Sequence, residues 1–219
     1  MVDPILIAGA PRSGTSLTAG ILHQHGVSVG KHNAHPKFNP KGSFENTQMK
    51  SVFDSIIRKH NMPLNPIAAD PVEPDLPLLG EKLRKCVEGN PWLLKETKLL
   101  WFYQNLSKQF PDAIWVLPVR PRKDSIASMY RHGVLPGRLK ASMKREGIDA
   151  TVQDAAGMYW DKCHNRQHYI ANRSKHIWIS THAIAKGDLD ESQRLVKACG
   201  LDFDESKVKE FINPEYWHA

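Results

Sequence analysis

GAPRSGTS, residues 9–16, sits between a short apolar run at 5–8 and an apolar periodicity at Leu17, Ile21 and Leu22 that stops near Gly26. That order predicts a strand, a tight loop and a helix. Gly9 and Gly14 leave the backbone free to turn N–H groups inward around Ser13, and the following helix adds the positive end of its dipole, so the loop is suited to an anion. Further along, continuous apolar runs at 92–94, 113–119 and 177–179 read as buried strands. Helical periodicity covers 49–60, 99–109, 152–170 and 190–199, the last ended by Gly200 as a cap. Strands alternating with helices predict an α/β fold, a three-layer doubly wound sandwich with a mostly parallel central sheet. Ligands of such folds sit at the C-terminal strand ends. Residues 62–79 hold five prolines and three acids and read as a surface loop or lid.

The chain has 219 residues, which suits one domain, 1–219. Its 41% hydrophobic and 24% charged residues exclude fibrous and wholly disordered classes. A net charge of +7 favours anionic partners. The excess lies away from the C-terminus: residues 131–145 hold five bases and no acid, whereas 187–215 hold eight acids and four bases. Cys86, Cys163 and Cys199 have neither disulfide-framework nor zinc spacing. With no basic leader and no 18-residue apolar stretch, the expected location is the cytoplasm, with no membrane partner.

The loop resembles a Walker A motif without its lysine. Thr15 stands where G-x-x-x-x-G-K-[ST] has Lys, and the loop's cation is Arg12. The strand at 113–119 carries no acid to hold Mg²⁺ and ends in Arg120. Both the triphosphate lysine and the metal carboxylate of a phosphotransferase are therefore missing. Transfer of a sulfuryl group, which carries less charge, needs only arginine, lysine and backbone amides, so the loop reads as a 5′-phosphosulfate site. Pro11, Arg12, Ser13, Gly14, Thr15 and Ser16 form it. Arg120 leaves a strand end, and a helix beginning near Asp124 would bring Ser128 about one turn in, where both reach one phosphate.

GAPRSGTSL is similar to the 5′-phosphosulfate loop of bacterial and phage-type sulfotransferases that use 3′-phosphoadenosine 5′-phosphosulfate (PAPS). VRPRKDSIASMY, residues 119–130, resembles that family's 3′-phosphate element, with Arg120 and Ser128 in the matching places. NPKGSFEN at 39–46, LLKETKLLW at 93–101 and the C-terminal stretch 198–217 agree more loosely. The resemblance implies a P-loop-like fold and sulfuryl transfer from PAPS to a hydroxyl or amine on a small molecule or glycan. Adenosine 3′,5′-bisphosphate is then the product, and no metal or nucleic acid is expected. It also implies a catalytic carboxylate at Glu45 and a strand-end lysine, Lys95, near the sulfuryl group, with Arg12 contributing. Lys95, Glu96 and Thr97 stand where another branch has K-T-H, so that branch's histidine is absent. Glu96, His32 and His35 are competing bases. Leu17 replaces the aromatic residue that many members place after the loop.

His164 and His168, with Asp161 and Cys163 nearby, have helical spacing and read as ordinary helix histidines rather than a metal site. Two rivals remain: a P-loop kinase needing ATP and Mg²⁺, and a noncatalytic binder of nucleotides or nucleic acid. The second lacks aromatic residues interleaved with its bases.

Overall fold

The computed structural model describes residues 3–32, 41–68, 70–131 and 135–212. His35 lies outside them. The elements run β1 (Ile5–Ile7), α1 (Thr15–Gln24), α2 (Thr47–Lys59), α3 (Leu79–Arg84), β2 (Leu93–Lys95), a 3₁₀ turn (Thr97–Trp101) and α4 (Tyr103–Gln109). They continue through β3 (Ile114–Val119), α5 (Arg122–Arg131), α6 (Leu135–Glu146), α7 (Val152–Ala171), β4 (His176–Ser180), α8 (Thr181–Ala185), α9 (Leu189–Ala198) and α10 (Glu205–Phe211).

The four described strands form a wholly parallel sheet in the order β2-β1-β3-β4. Alternation along each strand divides the core, because successive side chains leave a strand on opposite faces. Ile5, Ile7, Val116, Ile177 and Ile179 pack with Ala19, Ile21 and Leu22 of α1, Ile184 of α8, Leu195 of α9 and Phe211 of α10. Leu6, Ala8, Leu94, Trp115 and Leu117 face the other way, onto Phe53 of α2, Met129 of α5 and Tyr159 of α7. This is the three-layer α/β sandwich that the alternating pattern predicts. The chain leaves β1 toward β2 on one side, while β3 leads to β4 on the other. The crevice at the C-terminal ends of β1 and β3 is therefore the switch point where such folds bind ligands.

Local signals explain most helix boundaries. Asn46 caps α2, its side chain accepting from the N–H groups of Gln48 and Met49 at 3.0 Å each, and the stripe Met49, Phe53, Ile57 is buried. At the end of α9 the Leu201 N–H reaches back to the Val196 carbonyl at 3.2 Å, with Gly200 at φ +74°. Three features differ from the periodic reading. The predicted helix at 99–109 is broken at Phe102, which leaves helical geometry at φ −115°, ψ 24° and buries its ring 5.0 Å from Phe53. Helix α6 covers most of the basic stretch 131–145, to which the periodicity assigns no helix, and packs Leu135 and Leu139 inward.

The proline-rich segment is the third difference: it is a strap rather than a lid. The Glu146 carboxylate accepts from the N–H groups of Ile67 and Ala68 at 3.0 and 2.7 Å. The Glu73 carboxylate accepts from those of Gln104 and Asn105 at 3.0 and 2.7 Å. Asp70 pairs with Lys162 at 2.8 Å, and Met62, Ile67 and Leu79 are buried. Glu146 of α6 satisfies backbone donors of the segment, and Glu73 of the segment satisfies free N–H groups in the first turn of α4, so carboxylate–backbone bonds running both ways tie the segment to the body.

All three cysteines are free. Burial pushes the Cys163 thiol far up and that of Cys199 up to about 12, so neither is a ready nucleophile. Among the described residues no helix is long and apolar enough to cross a membrane.

Candidate active site

The loop between β1 and α1 has the geometry its glycines suggest. Gly14 lies at φ +88° as the residue before α1, and a Cβ there would stand 2.5 Å from the Thr181 Cβ, so both conformation and space require glycine. Arg12 takes φ +66°, an uncommon value for a side-chain-bearing residue, and such strain collects at functional loops. No side chain caps α1 and no acid lies in its first turn, whereas Asn46, Thr151 and Asp188 cap α2, α7 and α9. The Ser13 hydroxyl is buried in the loop with no hydrogen-bond partner among the described residues. An uncapped helix start beside an unsatisfied buried hydroxyl fits an anionic group.

Two residues outside the motifs fasten this loop to the sheet. The Thr181 hydroxyl, at the end of β4, lies 2.7 Å from the Ser13 carbonyl and 2.9 Å from that of Val119, so its proton is shared between the loop and β3. The Gln167 amide on α7 donates to the carbonyls of Ala8 at 3.0 Å and Pro118 at 3.2 Å, tying together the ends of β1 and β3. Neither stands out by motif. Gln167 did leave one signal, a polar residue on the buried stripe of α7 that includes Tyr159, Cys163 and Ile170.

At the switch point the two sequence motifs meet. Arg12 Nε donates to Ser128 Oγ at 3.0 Å across 116 residues. Because α5 begins at Arg122, not near Asp124, Ser128 stands roughly 9 Å along the helix axis, nearly two turns in rather than one. The Arg12 guanidinium has its pKa lowered first by burial, then by the charges of Arg120 and Arg131. Arg120 is lowered by burial as well; Asp124 works against that, and Arg131 with it. Three guanidinium groups that repel one another around a buried loop form a site that a multiply charged anion would stabilise.

A second cluster lies on the other flank of the loop. Lys95, the last residue of β2 and 7% exposed, extends Nζ to Glu45 Oε1 at 2.8 Å, to the Ser43 carbonyl at 3.1 Å and to Ser16 Oγ at 3.3 Å. Glu45 is aimed there by the backbone before it, where Phe44 takes φ +54° and turns its ring into the core. Burial would raise the Glu45 carboxyl, but the adjoining Lys95 charge and hydrogen bond, with Lys98 and Lys50, hold it below the usual carboxylate range. Glu96 behaves oppositely, raised by burial and by the Glu45 charge. Its backbone is extended at φ −163° and ψ 138°, and its ion pair is with Lys98 at 3.5 Å, whereas Glu45 takes the Lys95 ammonium.

His32 belongs to neither cluster. It stacks on Phe44 with ring centroids 5.3 Å apart, in a cavity of about 310 Å³ shared with His23, Lys41 and Phe211. Concavity and charge therefore point to different places. The arginine cluster at the switch point marks the chemistry better, because it combines guanidinium charge with the strand ends and the start of α1.

A parallel α/β sheet with a glycine loop and an uncapped helix start at its switch point is an architecture of the P-loop-like class. The model of the sulfotransferase family matches residues 4–205, and the chain belongs to that family. Among solved structures, a sulfotransferase domain from the curacin biosynthetic pathway aligns with a TM-score of 0.57 at 12% identity, over 97% of this chain and 78% of that one. Sulfotransferase STF1 from Mycobacterium tuberculosis H37Rv aligns with a TM-score of 0.54 at 14% identity, over 97% of this chain and 71% of that one. At such identities the likeness establishes the shared fold. No curated protein matches the chain.

Proposed function

We propose that the chain works as one sulfotransferase domain that moves a sulfuryl group from PAPS to a hydroxyl or amine acceptor, leaving adenosine 3′,5′-bisphosphate. The observation that carries this reading is the Arg12–Ser128 contact, which joins the loop to the Arg120 element beside an uncapped helix start. In this reading Pro11, Arg12, Ser13, Gly14, Thr15 and Ser16 hold the 5′-phosphosulfate. Arg120 and Ser128 take the 3′-phosphate, where a guanidinium fork and a hydroxyl suit a dianion.

Transfer then runs in line. The acceptor oxygen or nitrogen forms a bond to sulfur as the bridging sulfur–oxygen bond breaks, and its proton passes to the Glu45 carboxylate. Charge on the sulfuryl and leaving oxygens is met by Lys95, Arg12 and the loop amides, so the step calls on no metal ion. The Lys95–Glu45 pair links the two events. A donor that draws Lys95 Nζ onto its oxygens removes the charge that depresses Glu45, making it a better base once the donor is in place. Glu96 pairs instead with Lys98.

The test is incubation with ³⁵S-labelled PAPS and a panel of hydroxyl and amine acceptors. The expected result is labelled product and stoichiometric bisphosphate, unchanged by chelation of Mg²⁺. Phosphoryl transfer from ATP that requires Mg²⁺ would instead establish the phosphotransferase reading.

A further inference from the structure

Outside the transfer centre, α7 and β4 gather four aromatic rings. His164 and His168 meet with their Nε2 atoms 3.2 Å apart and ring centroids 4.6 Å apart. Trp160 stacks on His164 at 4.7 Å, and Trp178 of β4 closes on the two imidazoles at 5.7 and 4.8 Å. We propose that His164 and His168 form a chelating site for a divalent transition-metal ion of the nickel, copper or zinc type, bound through both Nε2 atoms with water completing the coordination.

The geometry carries this. Two nitrogens each about 2.1 Å from one ion stand roughly 3.0 Å apart at a right angle and 3.4 Å apart at the tetrahedral angle, and the observed separation falls between. The amide of Gln167 is oriented by its donor bonds to Ala8 and Pro118, so its oxygen faces His164 Nδ1, at 3.4 Å. A proton on Nδ1 leaves the Nε2 lone pair for a ligand, the arrangement typical of metal-binding histidines. The other candidates for a third ligand are engaged: Asp161 holds Arg122 at 2.7 and 2.6 Å, and Cys163 is buried. Among the described residues no three-residue metal cluster exists, so the site is an open two-histidine chelate. Spacing alone gives two ordinary helix histidines; the Nε2 contact is what points to a shared ion. Nothing in this proposal depends on the sulfuryl-transfer reading.

The experiment titrates the full chain with Ni²⁺, an ion suited to imidazole, while reading tryptophan fluorescence. Trp160 and Trp178 are two of six tryptophans, so an ion at this pair quenches a distinct fraction of the emission. The expected result is saturable quenching that EDTA reverses, with one Ni²⁺ per chain by equilibrium dialysis. H164N and H168N should each weaken it by about tenfold or more, with far-UV circular dichroism showing both variants folded. Quenching equal in either variant, Ni²⁺ bound without quenching, or no Ni²⁺ bound would each overturn the proposal.

Discussion

The two flanks of the β1–α1 loop are built on different electrostatic plans. On one, Arg12, Arg120 and Arg131 repel one another, and Arg12 is anchored by a neutral hydroxyl. On the other, every lysine has a carboxylate: Lys95 with Glu45, and Lys98 with Asp54 and Glu96. Mutual repulsion among guanidinium groups is a cost that an incoming anion relieves, so in the proposed function the first flank serves binding. A compensated pair costs less at rest and can exchange partners, so in the same proposal the second serves to move charge and a proton. Substitutions on the two flanks should therefore fail differently.

The largest expected effect is on the paired flank. E45Q should lower kcat by about 10²- to 10⁴-fold while leaving bisphosphate affinity near that of the wild type, since only the proton acceptor is lost. Steady-state kinetics beside a binding titration checks this, and full activity would remove Glu45 from the role. On the cationic flank, R120A and R12A should each weaken bisphosphate binding by about 10- to 100-fold, the span of one or two charge-assisted hydrogen bonds. Equal affinity in either variant would break the contrast.

A pH profile sharpens the contrast further. Glu45 is depressed in the free enzyme, so the acid limb of kcat/KM should lie below the usual carboxylate range. K95M removes the charge that lowers the group and leaves the burial that raises it, so the limb should move to higher pH even though the rate falls. An unmoved limb would separate Glu45 from Lys95. The smallest effect belongs to the scaffold. T181V removes the hydroxyl shared by the Ser13 and Val119 carbonyls and should cost about 1 kcal/mol of stability, read from denaturant unfolding, with a modest loss of bisphosphate affinity.

Sequence patterning revealed the sheet and the loop because both rest on local signals: short apolar runs, a glycine pair and a helix start. The Arg120 and Ser128 placement also followed from chain order, although the helix start at Arg122 sets Ser128 deeper than expected. What stayed hidden depends on partners far apart in the chain. Gln167 reaches residues 159 and 49 positions away, and Thr181 reaches one 168 away. The strap at 62–79 reads as a surface loop or lid from its prolines because its anchors, Glu146 and Lys162, come from α6 and α7. Helix α6 was obscured by its basic residues, which mask the few inward leucines. Which of Glu45 and Glu96 pairs with Lys95 was likewise hidden, because it depends on contacts 50 residues apart in the chain, which no spacing encodes.

The central claim is that the cationic flank exists for a 3′-phosphate, and the most direct measurement compares adenosine 3′,5′-bisphosphate with adenosine 5′-monophosphate by calorimetry in EDTA, on the wild type and on R120A. The account predicts that the wild type prefers the bisphosphate by about tenfold or more and that the preference collapses in R120A. Equal binding of the two nucleotides by the wild type, or a preference that survives loss of Arg120, would contradict it.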